Sequence, residues 1–334
     1  MGRLNHSILR MVLVSWLLSQ NGCLLLARQV YNQVDDRRAE QALGLGAEER
    51  ASPVDVASLP AGIRVMRDIA YGSNALQCFD VYAPAQAKGA PVILMVHGGG
   101  WFRGDKAMRN VVENKVKQWV ARGFIVVSVN NRLQPAADPI EQAKDVARAL
   151  AVAQDKAASW GGDRNKFILM GHSAGAHLIA LLSVSPTIIG NAGAAAWLGS
   201  ILLDSAALDV SRIMQARHMG LYDRAFGSDP ARWKAASPYD VVTQGVPPIL
   251  AVCSSRRRES CAQATRFVAK ATSFGTHAAV LSEDLSHEEI NERLGTAGAY
   301  TDAVEAFMRS LDPVVAGLLA GAPSKSAQVT PNKN

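Results

Sequence analysis

The sequence predicts an α/β fold: a mostly parallel central sheet, helices on both faces and a small lid segment. Short apolar runs alternate with longer helical patterns from about residue 60 onward, which argues parallel strands covered on both sides. A chain of 334 residues with 49% apolar composition also has enough core for one large domain. The formal charge of +6 is spread along the chain, and the one dense run, Arg256 to Arg258, has no interleaved aromatics. No nucleic-acid partner is expected.

In chain order, Arg3 and Arg10 precede an apolar stretch from Met11 to Leu18. Residues 1–28 are therefore expected to be an export signal or N-terminal anchor, whose apolar stretch is too short to span a bilayer. Gly22-Cys23 offers a cleavage and lipid-attachment point, although Gln20 and Asn21 suit the preceding positions poorly. Membrane attachment through the N-terminus is thus open. Residues 29–60 form an N-terminal extension, 61–312 the main domain and 313–334 a loose tail, since "GAPSKSAQVTPNKN" has too few apolar residues to bury. The strands expected in the domain are "QCFDVYA" (77–83), "PVILMVH" (91–97), "FIVVSVN" (124–130), "KFILM" (166–170), "SILLD" (200–204), "PPILAVC" (247–253) and "HAAVL" (277–281). Helical patterns cover 108–123, 140–161 and 174–184. Residues 205–245 contain no clear strand and are expected to form a helical lid or pocket wall.

Ligands on such sheets bind at the carboxyl ends of strands, where three chemical groups fall: His97-Gly98-Gly99-Gly100, Ser173 and Asp204. "GHSAG" (171–175) joins a strand to a helix through a turn flanked by small residues, which suits an exposed nucleophilic Ser173. "HGGGW" (97–101) leaves backbone N–H groups bare after a strand, which suits an oxyanion hole; a phosphate loop would need the Gly-Lys-Ser/Thr ending that is missing here. Of the seven histidines, His287 alone follows the last strand by a short loop and precedes a helix. Cys253 and Cys261, eight positions apart, form a disulfide if the chain is exported and are otherwise two buried thiols. No cysteine or histidine pair has metal-ligand spacing, so no metal is expected.

"HGGGW" followed by "GHSAG", with "GGDRNKFILMGHSAGAHLIA" around the second, resembles the α/β-hydrolase superfamily and, within it, carboxylesterases related to hormone-sensitive lipase and kynurenine formamidase. The likeness covers roughly residues 65–311. It implies Ser173 as nucleophile, His287 as general base, and an oxyanion hole from the N–H groups of Gly99, Gly100 and Ala174, with no cofactor. The sequence departs from the pattern at the third member. The acid usually follows the seventh strand, where this chain has "SSRRRES". Asp204 and Glu259 are the two replacements, with Asp209 a weaker third. The expected activity is hydrolysis of a small-molecule carboxylic ester. Hydrolysis of an N-formyl amide, or an inactive binding role, is the alternative. Neither the chain length of the substrate nor the oligomeric state is legible.

Overall fold

The computed structural model describes residues 52–320. Among them eight strands form one sheet: β1 (Ile63–Ala70), β2 (Cys78–Pro84), β3 (Ala90–Val96), β4 (Ile125–Val129), β5 (Gly162–His172), β6 (Gly199–Leu203), β7 (Ile249–Ser254) and β8 (Ala278–Glu283). Their order is β1-β2-β4-β3-β5-β6-β7-β8. β3 to β8 are parallel, and β2 runs antiparallel to both β1 and β4. β1 is absent from the expected strands because its half-buried residues mix charge with apolar side chains.

Strand residues alternate between two separate cores. Val92, Leu94 and Val96 of β3 point to one, Ile93 and Met95 to the other; Phe167 and Leu169 of β5 oppose Ile168 and Met170. Each interior strand is buried on both sides, which is why it reads as an unbroken apolar run. Helix α1 (Arg109–Trp119) covers the second face. The first face is covered by α2 (Pro139–Trp160), α3 (Ala174–Val184) and α4 (Pro186–Ala192). α2 begins at an Asp138 cap that accepts from the N–H groups of Ile140 and Glu141, with Pro139 at its first position, and ends at left-handed Gly161. α3 is buried at every residue, so no polar stripe marks it.

The segment 205–245 contains four short helices: α5 (Val210–Gln215), α6 (Gly220–Phe226), α7 (Pro230–Ala235) and α8 (Pro238–Val241). Leu221, Tyr222 and Phe226 from it join the first core. α9 (Arg258–Ser273) follows β7 and buries Phe267 on the same face. α10 (His287–Glu292), α11 (Ala299–Leu311) and α12 (Pro313–Ala320) complete the second face through Ile290, Val304, Met308 and Leu319.

Two boundaries shift. The tail expected from residue 313 is helical as far as Ala320, because Pro313 starts a helix and Val315 and Leu319 reach the second core. Of the expected extension 29–60, Val54 and Leu59 are buried in that core. The expected signal or anchor at 1–28, with Cys23, lies outside the described residues, as do 321–334. Among the described residues no single helix is long and apolar enough to cross a membrane.

The contact between α3 and the sheet is backbone to backbone at one point. A Cβ on Gly175 would lie 2.4 Å from the His97 carbonyl oxygen and 2.5 Å from that of Val96. Neither partner is a flexible side-chain end, so Gly175→Ala is expected to lower unfolding stability in urea by about 3 kcal/mol. Gly190→Ala on α4, which meets open space, is the control and should be neutral or stabilising by about 0.5 kcal/mol.

Candidate active site

Ser173 joins β5 to α3 with φ 54° and ψ −116°, a conformation that strains any side-chain-bearing residue. Serine at a helix start ordinarily caps the helix, yet this side chain makes no cap bond. Its backbone is tied down instead: Ser173 N–H donates to the Leu203 carbonyl at 2.9 Å, and its own carbonyl accepts from His177 N–H at 3.1 Å. Gly171 and Gly175 are needed because a Cβ on either would collide with backbone within 2.5 Å. The hydroxyl is left in a narrow cleft lined also by Gly100, Trp101, Ala174, Tyr222 and Arg257.

The glycine-rich loop after β3 bends through left-handed Gly99 (φ 115°), Gly100 (φ 60°) and Trp101 (φ 70°). The Gly99 carbonyl accepts from Phe102 and Arg103, so the loop folds on itself. Its far side is clamped by Asn130, whose side chain accepts from Lys106 N–H at 2.6 Å and donates to Asp105 at 2.8 Å, while Lys106 pairs with buried Asp80. Trp101 is buried and donates its indole N–H to His177 Nδ1; His177 Nε2–H donates to the Ala236 carbonyl at 2.8 Å. Burial pushes His177 down to about 4, so it stays neutral and serves as a bridge between loop, α3 and the 205–245 segment.

Asp204 follows β6 beside Ser173, at φ 52°, a left-handed conformation that Asp tolerates. Its fully buried carboxylate accepts from His287 Nδ1 at 2.6 Å, Arg257 Nη1 at 2.5 Å, Ser260 Oγ at 2.5 Å and Ser254 N–H at 2.8 Å. Burial opposes its charge, but the bonds and charges of His287, Arg257 and Ser260 outweigh burial and hold the carboxyl well below the usual range. His287 stands at the first position of α10, fixed by the reciprocal bonds of Ser286 and Glu289 at its N-terminus. Since Nδ1–H is committed to Asp204, Nε2 carries the lone pair, and it is buried with no hydrogen-bond partner. Arg257 Nη1 also lies 2.5 Å from His287 Nδ1. A guanidinium only donates, so the two N–H groups crowd onto one Asp204 oxygen. Burial, then the neighbouring His172 and Arg257, push His287 down to about 4 against the pull of Asp204.

Ser173 and Asp204 thus follow adjacent parallel strand ends, His287 after β8 is bonded to Asp204, its ring packs on His172 next to Ser173, and Gly100 and Ala174 line the cleft that holds Ser173. Glu259 is exposed on the first turn of α9 and accepts from Gln263, away from His287. Asp209 caps α5 and pairs with Arg266. Sequence reasoning missed two contributors to this cluster. Arg257 was legible only as the wrong charge at the expected acid position. His172 packs its ring 4.4 Å from that of His287 and donates to the His287 carbonyl, a contact no spacing announces. The pattern Ser286-x-x-Glu289 was the available signal for the cap that fixes His287. Cys253 and Cys261 are joined by a disulfide that closes the Arg257 loop.

Residues 79–195 match the BD-FAE family. Esterase LipC of Mycobacterium tuberculosis is 27% identical over 230 residues, 63% of this chain and 55% of that protein. A probable isoprenylcysteine alpha-carbonyl methylesterase of Arabidopsis thaliana is 32% identical over 125 residues, 37% of this chain and 26% of that protein. The chain therefore spans between about a quarter and about half of these relatives' own lengths. Among solved structures, the phosphonate-inhibited esterase B of Lactobacillus rhamnosis superposes with a TM-score of 0.66 at 18% identity, over 87% of this chain and 96% of that one. Esterase 2 of Thermogutta terrifontis, phosphonylated by sarin, gives 0.60 at 21% identity over 78% and 98%. The fold is the α/β-hydrolase fold.

NMR titration of the His287 imidazole should find it neutral down to about pH 4. Arg257→Met removes a cation that disfavours imidazolium, so the midpoint should rise. Because the unfolded chain protonates histidine near 6.5 while buried His177 and His287 resist until about 4, stability should fall as pH drops through that window.

Proposed function

We propose that this chain, an α/β-hydrolase by fold, is a serine carboxylesterase that cleaves esters of small or medium size through an acyl-enzyme on Ser173. The observation that carries the reading is His287: its Nδ1–H is held by a buried carboxylate while its Nε2 lone pair has no protein partner. That is the state a general base needs. Ser173 Oγ bonds to the ester carbonyl carbon as its proton passes to His287 Nε2. The developing oxyanion is held by the N–H groups of Gly99, Gly100 and Ala174. The carbon to alkoxide bond then breaks, and the alkoxide takes the proton from His287. Water attacks the acyl-enzyme by the same route and restores Ser173.

The relatives named above are esterases, and the strained Ser173 with an assembled base and acid counts against a binding role alone. Asp204 serves as the acid; Glu259 faces a different cavity. Export is part of the same proposal, and the Cys253 to Cys261 disulfide supports it, since such bridges persist in oxidising compartments.

On p-nitrophenyl butyrate, Ser173→Ala should lose at least about 10³-fold in kcat and all labelling by a fluorophosphonate. Asp204→Asn should lose about 10⁴-fold by leaving His287 in the wrong tautomer. Glu259→Gln should stay within about twofold. Collapse of Glu259→Gln with an active Asp204→Asn would reverse the assignment. For export, cell fractionation should place the protein outside the cytoplasm with Cys253 and Cys261 cross-linked.

A further inference from the structure

Beside the nucleophile cleft lies a second cavity of about 1290 Å³, counted to its open face, and Ala206, Tyr222 and Arg257 line both. The charges around this second space are lopsided: Arg212, Arg217, Arg256, Arg257 and Arg258 line it, against the single carboxylate of Glu259. They come from opposite walls. Arg212 and Arg217 belong to the 205–245 segment, Arg256 and Arg257 to the loop between β7 and α9, and Arg258 to the first position of α9. Two of the five are committed: Arg257 to Asp204, and Arg256 to Asp284 and Glu289. Among the described residues no ion pair reaches Arg212, Arg217 or Arg258. Cationic side chains on both walls, with apolar surface from Ile213, Met219 and Tyr222 on the 205–245 side, suit a chain that ends in an anion.

Resting on the esterase reading, we propose that the cavity selects esters carrying a carboxylate remote from the scissile bond, the carboxylate lying among Arg212, Arg217 and Arg258 while the ester reaches Ser173. Like charges gathered in a cleft repel one another and raise the local concentration of an anion. A neutral ester of the same length gains only the apolar contact. The preference is electrostatic and must fall with salt.

Hydrolysis by the full chain at low and high ionic strength tests this. Monomethyl adipate against methyl hexanoate places the carboxylate on the acyl side, and 4-(butyryloxy)butanoate against pentyl butyrate places it on the alcohol side. One pair should show at least about tenfold higher kcat/KM for the anionic ester at low salt, and which pair does so tells which arm the cavity holds. Arg212→Gln, Arg217→Gln and Arg258→Gln should each remove about two- to fivefold of that preference, and the triple variant should abolish it while still cleaving the neutral esters. Neutral esters cleaved with no anionic preference in either pair would overturn the proposal and leave the esterase reading standing. If no ester is cleaved, saturation-transfer NMR with adipate decides separately: binding by the wild type that is lost in the triple variant supports the anion site, and absence of binding refutes it.

Discussion

The candidate site depends on one buried carboxylate. Asp204 is enclosed and charged, a state costly in a protein interior unless every oxygen is satisfied. Its four donors come from the loop after β7, the first turn of α9, the end of β7 and the start of α10. Arg257 is the cation among them, and without it the buried charge rests on neutral donors alone, so these elements are tied to one another through Asp204. Breaking such a buried pair typically costs about 3–5 kcal/mol. The site's geometry is therefore secured by the same term that makes the site expensive to bury.

The sheet explains how these donors converge. Parallel register sets Leu203 beside His172, so Ser173 and Asp204 emerge side by side at adjacent strand ends. Ser254 N–H, at the end of β7, then reaches across to Asp204, whose own N–H donates to the Val252 carbonyl. With the acid on β6, the loop after β7 is free to supply a cation instead. The disulfide between Cys253 and Cys261 closes that loop at both ends around Arg257.

Most strands were legible because each interior strand is buried on both sides, and α2 because it carries a cap and an apolar stripe, whereas the long α9 and α11 were not among the expected helices. β1 was not legible, since an edge strand half in water has no such signal. α12 escaped notice because a leucine- and valine-bearing turn before a polar tail looks like part of the tail until its contacts are known. In the site, Ser173 and His287 are local readings: one sits in a strand, turn and helix pattern, the other follows the last strand. The acid is not local. Choosing Asp204 over Glu259 requires knowing which of two loops lies under the imidazole, and that follows from strand order. Arg257 was misread as a vacancy for the same reason, because its partner is 53 residues away.

In the proposed reaction, Arg257 also bears on how strong a base His287 is. Burial first, then His172 and the Arg257 cation beside Nδ1, keep the imidazole neutral at ordinary pH and so able to accept a proton, but they make that proton less welcome. Asp204 offsets the second effect without undoing the first, because its charge is shared between both neighbours. Arg257 lines the arginine-rich cavity as well as the nucleophile cleft, so its field at His287 depends on what fills that cavity. On the proposal above, a carboxylate held in that cavity would add negative charge near Arg257 and so raise the basicity of His287 while an ester lies against Ser173. Charge selection and base strength would then be one electrostatic arrangement, and an uncharged substrate would meet a weaker base in the same geometry.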